Sequence, residues 1–431
     1  MEPGQILLSC LLVLSLSLVE ISTDSSLNST QESRAGKLIS MFQIVKFKNE
    51  ACAAGGVRNG TCYTGDECKT RGGSSAGSCA GGYGVCCAFT LSCGATTVEN
   101  CTYLVETGSA STISPCKYTV CPCSRDICRI RFDFMTFNIK GPVTGTAISD
   151  PAMTAATTEG GAIGDCTTDT FTITAPGNFA PPLICGFNSG QHMIVDASPD
   201  KCNEANFGLV GGGTRNWDIK VTQYACGDEQ GGPDGCLQYF TGTTGTVASF
   251  NFPTTASILE PSTTHLSNQQ QSMCWRQETN TCAICWIPEI LGTDQITGSF
   301  GISTTAGGNK ARGETDGKCQ GDYLLIPDAQ SDVATEDADT FVVGSIGSDV
   351  RLSDRVCGRQ LSSANDNGDR RMSLSVCTQQ RPFRMTFKTD ADEVTLTSTS
   401  AAPNSAASNE LSRIPGGIVG FNLRWTLQAC S

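Results

Sequence analysis

Beyond Cys93 the chain is written in short runs of alternating apolar and polar positions. Ile130, Phe132 and Phe134 fall on one face, with Arg129, Arg131 and Asp133 on the other. The phase then slips, and Phe137 and Ile139 continue the apolar face, which predicts a β-bulge near Met135–Thr136. Similar alternation recurs in Trp217/Ile219/Val221, Phe383/Met385/Phe387, Val394/Leu396 and Phe421/Leu423/Trp425/Leu427. Turn-rich gaps separate these runs, and no long stretch carries a helical stripe. The expected fold class is all-β, built as antiparallel sandwiches.

The pattern repeats. IKVTQYAC (219–226) aligns with LRWTLQAC (423–430), the Cys-x-x-Asp of Cys166 and Asp169 with that of Cys319 and Asp322, and Ile184-Cys185-Gly186 with Val356-Cys357-Gly358. Three matches in the same order indicate two tandem copies of one domain, 93–226 and 227–431. The second is longer, with insertions around 327–350 and 397–412, and TSTSAAPNSAASNELS (397–412) reads as a mobile loop between two strands. Each copy is large enough for its own core, unlike a solenoid repeat.

The N-terminal part has a different character. Residues 6–19, ILLSCLLVLSLSLV, form an apolar run too short for a comfortable membrane span and right for the core of a secretory leader, placed at 1–22. Residues 23–41 are polar, Ser/Thr-rich and aperiodic, a flexible lead-in. A compact module follows at 42–92, with cysteines at 52, 62, 68, 79, 86 and 87. So short and Gly-rich a block cannot bury a sufficient core, so disulfides must stabilise it. No His lies nearby and the spacing is not a paired CxxC, which argues against zinc.

The cysteine count extends this picture. The 431 residues include 25 cysteines, and with Cys10 lost in the leader an even number remains. That implies an oxidising compartment. Asn-x-Ser/Thr acceptor sites lie at Asn28, Asn59 and Asn100. No later run is apolar enough to span a membrane, and the closing LQACS has no hydrophobic tail of the kind a lipid anchor needs. The formal charge of −13, without a Lys/Arg block, argues against nucleic acid or anionic membranes as partners.

Catalytic chemistry is hard to assemble. GDEQGGPDGC (227–236) nearly spells the Gly-Asp-Ser-Gly-Gly-Pro of a trypsin-like nucleophile, but Glu229 and Gln230 stand in place of the serine. The chain has two histidines, His192 and His265, and neither has the surroundings such a base requires. The stretch reads as a Gly/Pro/Asp turn joining two domains. Cys282-Ala-Ile-Cys285 has redox spacing without the α/β context of a thioredoxin-like enzyme, so structural cystine is expected. The acidic SDVATEDADT (331–340) reads as a solvated loop rather than a carboxylate pair for glycoside hydrolysis.

The ordered landmarks resemble the CUB domain, a secreted β-sandwich. They are ICRIRFDF (127–134), FNIK (137–140), CTTD (166–169), ICG (184–186) and WDIKV (217–221) in the first copy. In the second they are CAICWI (282–287), FGIS (300–303), CQGDYLLI (319–326), VCG (356–358), FKTD (387–390) and GFNLRW (420–425). Residues 42–252 further resemble secreted arthropod CUB-domain proteins, and the 42–92 block is similar to a clip domain, which also ends in a Cys-Cys pair. The resemblance implies Cys166–Cys185 and Cys319–Cys357 disulfides. It also implies calcium held by a Glu, the Asp of Cys-x-x-Asp and a late Asp. The matching positions are Asp169 and Asp200 in the first copy, and Asp322 and Asp390 in the second. The Glu is absent, with Lys140 and Ser303 in its place. Calcium takes six to eight oxygen ligands, so a lost carboxylate weakens such a site. A lysine beside two aspartates would instead supply positive charge without a metal.

The function expected from these features is non-enzymatic binding of an extracellular protein or glycan. Two rivals stand beside it. A non-catalytic regulator of a serine protease cascade is implied by the clip-like block. A matrix or cuticle component is consistent with the abundance of Gly and cystine.

Overall fold

The computed structural model describes residues 46–56, 58–106, 115–142, 164–255, 263–289, 299–303, 313–315, 319–331, 351–358, 361, 375–391 and 419–430. The leader-like run, the lead-in with Asn28, Val394/Leu396, nearly all of the acidic stretch 331–340 and the loop 397–412 lie outside the described residues. The chain divides into two compact units, 1–90 and 91–431. Among the described residues no helix is long and apolar enough to cross a membrane.

The first unit is held by three disulfides around a small apolar cluster. Its elements are β1 (Ala51–Ala53), β2 (Asn59–Tyr63), α1 (Gly65–Thr70), β3 (Ser74–Cys79) and β4 (Gly84–Leu91). β2 pairs antiparallel with β1 and β4, and β3 with β4. Thr64 caps α1, its Oγ1 accepting from Glu67 N at 3.2 Å. Disulfides join Cys52–Cys86, Cys62–Cys79 and Cys68–Cys87. Around the last bridge pack Tyr63 and Phe89, edge to face at 6.3 Å. A Cβ on Gly73 would lie 2.2 Å from Cys87 Sγ, so only glycine lets the chain pass there.

The second unit is all-β, and its strands fall into two sandwiches. The first uses β5 (Thr96–Thr97), β6 (Thr102–Glu106), β7 (Cys116–Val120), β8 (Ile127–Asn138), β9 (Thr170–Ile173), β10 (His192–Asp196), β11 (Asn203–Gly208) and β12 (Asn216–Ala225). One sheet runs β6-β12-β8-β10 and the other β5-β7-β11-β9. The expected bulge is present. The β8–β12 register passes from Thr136↔Asp218 to Phe134↔Ile219, leaving Met135 unopposed and 43% exposed. This slip returns Phe137 to the face of Phe134, so both rings pack with Phe171 in the core. Phe207 stacks on Trp217 with centroids 3.9 Å apart. Trp217 Nε1 donates to Tyr118 Oη at 3.1 Å, giving the buried indole its partner. Burial pushes the Tyr118 phenol up to about 12.

The second sandwich uses β13 (Gln238–Phe240), β14 (Thr244–Ala248), β15 (Gln270–Trp275), β16 (Thr281–Pro288), β17 (Phe300–Gly301), β18 (Gly313–Thr315), β19 (Tyr323–Ser331), β20 (Arg351–Gly358), β21 (Val376–Thr378), β22 (Arg384–Lys388) and β23 (Gly420–Ala429). β19 is bulged between Leu325 and Ala329, pairing with β22 at its start and β21 at its end. Hydrogen bonding therefore runs without a break through β13-β15-β22-β19-β21-β16-β23-β14. Trp275, Trp286 and Trp425 fill the core, with Trp275 edge-on to Trp286 at 5.2 Å.

Between the sandwiches, Asp228 Oδ1 accepts from Gln230 N at 2.9 Å and caps a 3-10 turn at Glu229–Gly231. Arg129 of β8 pairs with both Asp196 and Asp234. Ile194 N donates to Leu237 O at 2.7 Å, and Leu237 N to Ser272 O at 2.9 Å, so the connecting chain hydrogen-bonds to both sandwiches.

Candidate functional site

The strand registers define equivalent places in the two sandwiches. β9 pairs with β11 with Thr170 opposite Gly208, and β19 pairs with β22 with Tyr323 opposite Lys388. Asp169 and Asp322 each precede the first of these strands. Two residues beyond the second strand's pairing position lie Val210 and Asp390. The hydrogen bonds agree: Val210 N donates to Asp169 Oδ1 at 3.1 Å, and Asp390 N to Asp322 Oδ1 at 2.8 Å. The structural counterpart of Asp390 is thus Val210. Asp200 lies in the exposed turn before β11, at the far end of that strand from Asp169. β11 spans roughly 17 Å at 3.4 Å per residue, so the structure does not bring Asp200 to Asp169.

The first site is closed by a residue the sequence pattern did not single out as a ligand. Arg215 Nε donates to Asp169 Oδ2 at 2.6 Å, and its NH2 nitrogen to Asp169 Oδ1 at 2.8 Å. Both side chains are buried, at 1% and 0% exposure. Lys140 N supplies a further bond to Oδ2 at 2.9 Å. The Lys140 ammonium instead donates to Val210 O at 3.1 Å, so it does not neutralise Asp169 as the sequence reading expected. Burial alone would raise the Asp169 carboxyl, but the Arg215 bonds and the two backbone N–H donors outweigh it and hold it below its ordinary value. The same bonds raise Arg215.

A carboxylate has about four lone-pair sites. Here two N–H groups and two guanidinium donors take four bonds, leaving no oxygen to offer a metal. The residues at this first site do not fit calcium. A signal for Arg215 existed: it lies in phase with Trp217, Ile219 and Val221. A charge on that apolar face requires a buried partner.

The second site has different chemistry. Extending the 219–226/423–430 alignment back places Val419, 1% exposed, opposite Arg215. Asp322 and Asp390 meet here, with the Asp390 carboxylate so close to Gly321 that a Cβ there would lie 2.2 Å from Oδ2. Burial pushes the Asp322 carboxyl up. His265 and the Asp390 N–H oppose this, and the Asp390 charge adds to it. Ser303 Oγ accepts from Gly358 N at 3.0 Å. The Asp322 and Asp390 carboxylates fit a hard cation in kind, with water needed to complete its shell. Among the described residues no group of three or more His, Cys, Asp or Glu side chains could hold a metal ion.

The remaining singled-out residues are placed as follows. Cys166 is bonded to Cys185 and Cys319 to Cys357. Cys282 and Cys285 are bonded to Cys430 and Cys377 rather than to one another. Both histidines are buried. His192 Nε2 accepts from Tyr239 N at 2.8 Å, and His265 Nε2 lies 2.9 Å from Ile302 O. Burial, reinforced by Arg131, pushes His192 well below its ordinary value. Asn59 begins β2 and is half-buried. Asn100 holds the Gln223 backbone from both sides, Nδ2 donating to Gln223 O at 3.1 Å and Oδ1 accepting from Gln223 N at 2.8 Å.

Residues 233–428 match the family model for the animal CUB domain. No curated protein matches the chain. Among solved structures, it is similar to the CUB1-EGF-CUB2 domains of rat MASP-1, at 12% identity and a TM-score of 0.21, over 78% of this chain and 99% of that one. It is similar at 12% and 0.21 to the CUB1-EGF-CUB2 domain of human MASP-1/3, over 77% and 100%. It is also similar at 10% and 0.20 to the full extracellular region of zebrafish Gpr126/Adgrg6, over 80% and 42%. CUB domains are generally extracellular protein-interaction modules. The family match falls on the second sandwich, and the rest of the described chain beyond residue 91 is likewise nearly all β.

Proposed function

We propose that this chain is a secreted, non-enzymatic binding protein that recognises an extracellular protein or glycan. The observation that carries this reading is the animal CUB match over 233–428. Its organisation is a leader at 1–22, a lead-in at 23–41, a clip-like module at 42–92 and CUB-like sandwiches at 93–226 and 227–431. Eleven disulfides among the described residues favour an oxidising compartment. The equivalent strand registers around Asp169 and Asp322 support treating the two sandwiches as copies.

Calcium enters this proposal only at the second site. Asp322 and Asp390 would hold it, and the ion would supply the positive charge that two neighbouring carboxylates call for. The test is a pull-down with the secreted full chain as bait in native extracellular fluid, with calcium and again with EDTA. Each captured component is then purified and titrated against the chain. A discrete protein or glycan that binds saturably is the expected result. Loss of that partner in EDTA would assign the cation a role in binding, and its retention would move recognition to the sheet faces or the clip-like module. Turnover of a peptide or glycan substrate, abolished by one substitution, would overturn the non-enzymatic reading. Extraction only with reductant and no discrete partner would favour a matrix component.

A further inference from the structure

We infer that Arg215 is a built-in cation at the end of the first sandwich, holding in order what a divalent ion would otherwise organise. The guanidinium lies among four oxygens. Two belong to Asp169, at 2.6 and 2.8 Å, and two are the carbonyls of Val210 and Gly211, at 2.9 and 3.0 Å from its NH2 nitrogen. A carboxylate and backbone carbonyls are the donors a hard cation recruits, and here they converge on a charged side chain.

The loop is shaped for this arrangement. Between Val210 and Arg215 the chain runs through Gly211, Gly212 and Gly213, with φ of +66° at Gly211 and +152° at Gly213. Such backbone favours glycine. It lets the chain turn back so that Arg215 reaches two carbonyls a few residues before it. Lys140 Nζ adds a second cationic donor to the Val210 carbonyl.

The two sandwiches differ reciprocally at the same two places. The first has Val210 and Arg215, and the second has Asp390 and Val419. At these positions and their Cys-x-x-Asp aspartates, the first site combines one negative and one positive side chain, while the second combines two carboxylates. The difference is a charge exchange built into the fold, and it confines any divalent-ion dependence to the second sandwich.

Hydrogen exchange on the full chain tests this directly, because the Val210 and Lys140 amides both donate to the Asp169 carboxylate. In the unaltered protein their protection should be the same in millimolar calcium and in EDTA. Arg215→Met should lower it at least tenfold, and the double variant Arg215→Met/Asp169→Asn should recover part of that loss, because no uncompensated charge remains. A packing role alone would leave the double variant no better than the single one. Should Arg215→Met fail to fold, Arg215→Lys keeps the charge without the two-pronged bond and should still reduce Val210 protection. A tenfold or greater fall in wild-type protection on adding EDTA would overturn the inference, as would unchanged protection in both Arg215 variants.

Discussion

The two sandwiches share a register and a Cys-x-x-Asp turn, yet they treat the aspartate in opposite ways. Asp169 is buried under a bidentate arginine and two N–H donors, and its carboxyl is held down. Asp322 is buried beside a second carboxylate, and its carboxyl is pushed up. Burial alone therefore does not fix the chemistry of a turn that the chain repeats. The neighbour two residues past the partner strand, Val210 or Asp390, and the residue entering the closing strand, Arg215 or Val419, decide whether the site is self-neutralised or open to a cation.

The largest expected effect breaks the first site alone. Removing one partner of a buried ion pair leaves an uncompensated charge and costs about 3–5 kcal/mol. Arg215→Met should therefore destabilise the chain by that amount in denaturant unfolding, whereas calcium should not restore it. A loss below about 1 kcal/mol would mean that the pair is already well solvated.

Next in size, the two disulfides sharpen what the sites have in common. Replacing both cysteines of Cys166–Cys185 or Cys319–Cys357 by alanine should cost roughly 3–4 kcal/mol in either sandwich, by chain entropy. The sequence separations are 19 and 38. That doubling predicts that the second loss exceeds the first by about 0.6 kcal/mol. Thermal unfolding of the two variants side by side measures the difference, and a reversed order would show that native-state effects dominate.

A smaller effect distinguishes the carboxylates. Asp390→Asn removes a like charge from beside Asp322 and should stabilise the chain in EDTA by on the order of 1 kcal/mol, the value of one pKa unit. Asp169→Asn should destabilise, because it loses the charge that Arg215 requires. Equal signs for the two substitutions in chemical denaturation would remove the contrast between the sites.

The smallest effect is in pH. Asp169 has a folded-state pKa below its unfolded value near 3.9, so its contribution is complete above about pH 4 and is lost as pH falls through the folded pKa. Asp322 has its folded pKa above the unfolded value. Its charged form therefore disfavours the fold at neutral pH, and acidification through the raised pKa relieves that penalty. Stability measured between about pH 3 and 6 should fall less steeply in Asp169→Asn and more steeply in Asp322→Asn than in the parent.

Much of the fold was legible because strand periodicity is local. Ile130, Phe132 and Phe134 followed by Phe137 and Ile139 located the strand and its bulge, since one extra residue is what returns an alternating pattern to the same face. The repeat of IKVTQYAC and LRWTLQAC likewise found the two closing strands. The site was less legible. Asp169, Asp322 and Asp390 were visible as residue types, but matching Asp200 to Asp390 failed. Sequence order cannot tell which end of a strand a turn occupies, and the antiparallel register made Val210 the true counterpart. Arg215 was visible as a charge in an apolar phase, but its partner was not, because Asp169 lies 46 residues away in sequence.

By itself the sequence determined the alternation that makes this chain all-β, the doubling of its closing-strand and Cys-x-x-Asp patterns, and the absence of a serine from its protease-like turn. These depend on neighbours within a few residues and on the period-two geometry of a strand. Only the tertiary structure decided how the cysteines other than Cys166, Cys185, Cys319 and Cys357 join, which residue stands opposite Asp390, and that the cation at Asp169 is Arg215. Those outcomes depend on strand registers and on directional bonds between distant segments, and such bonds exist only once the sheets have packed.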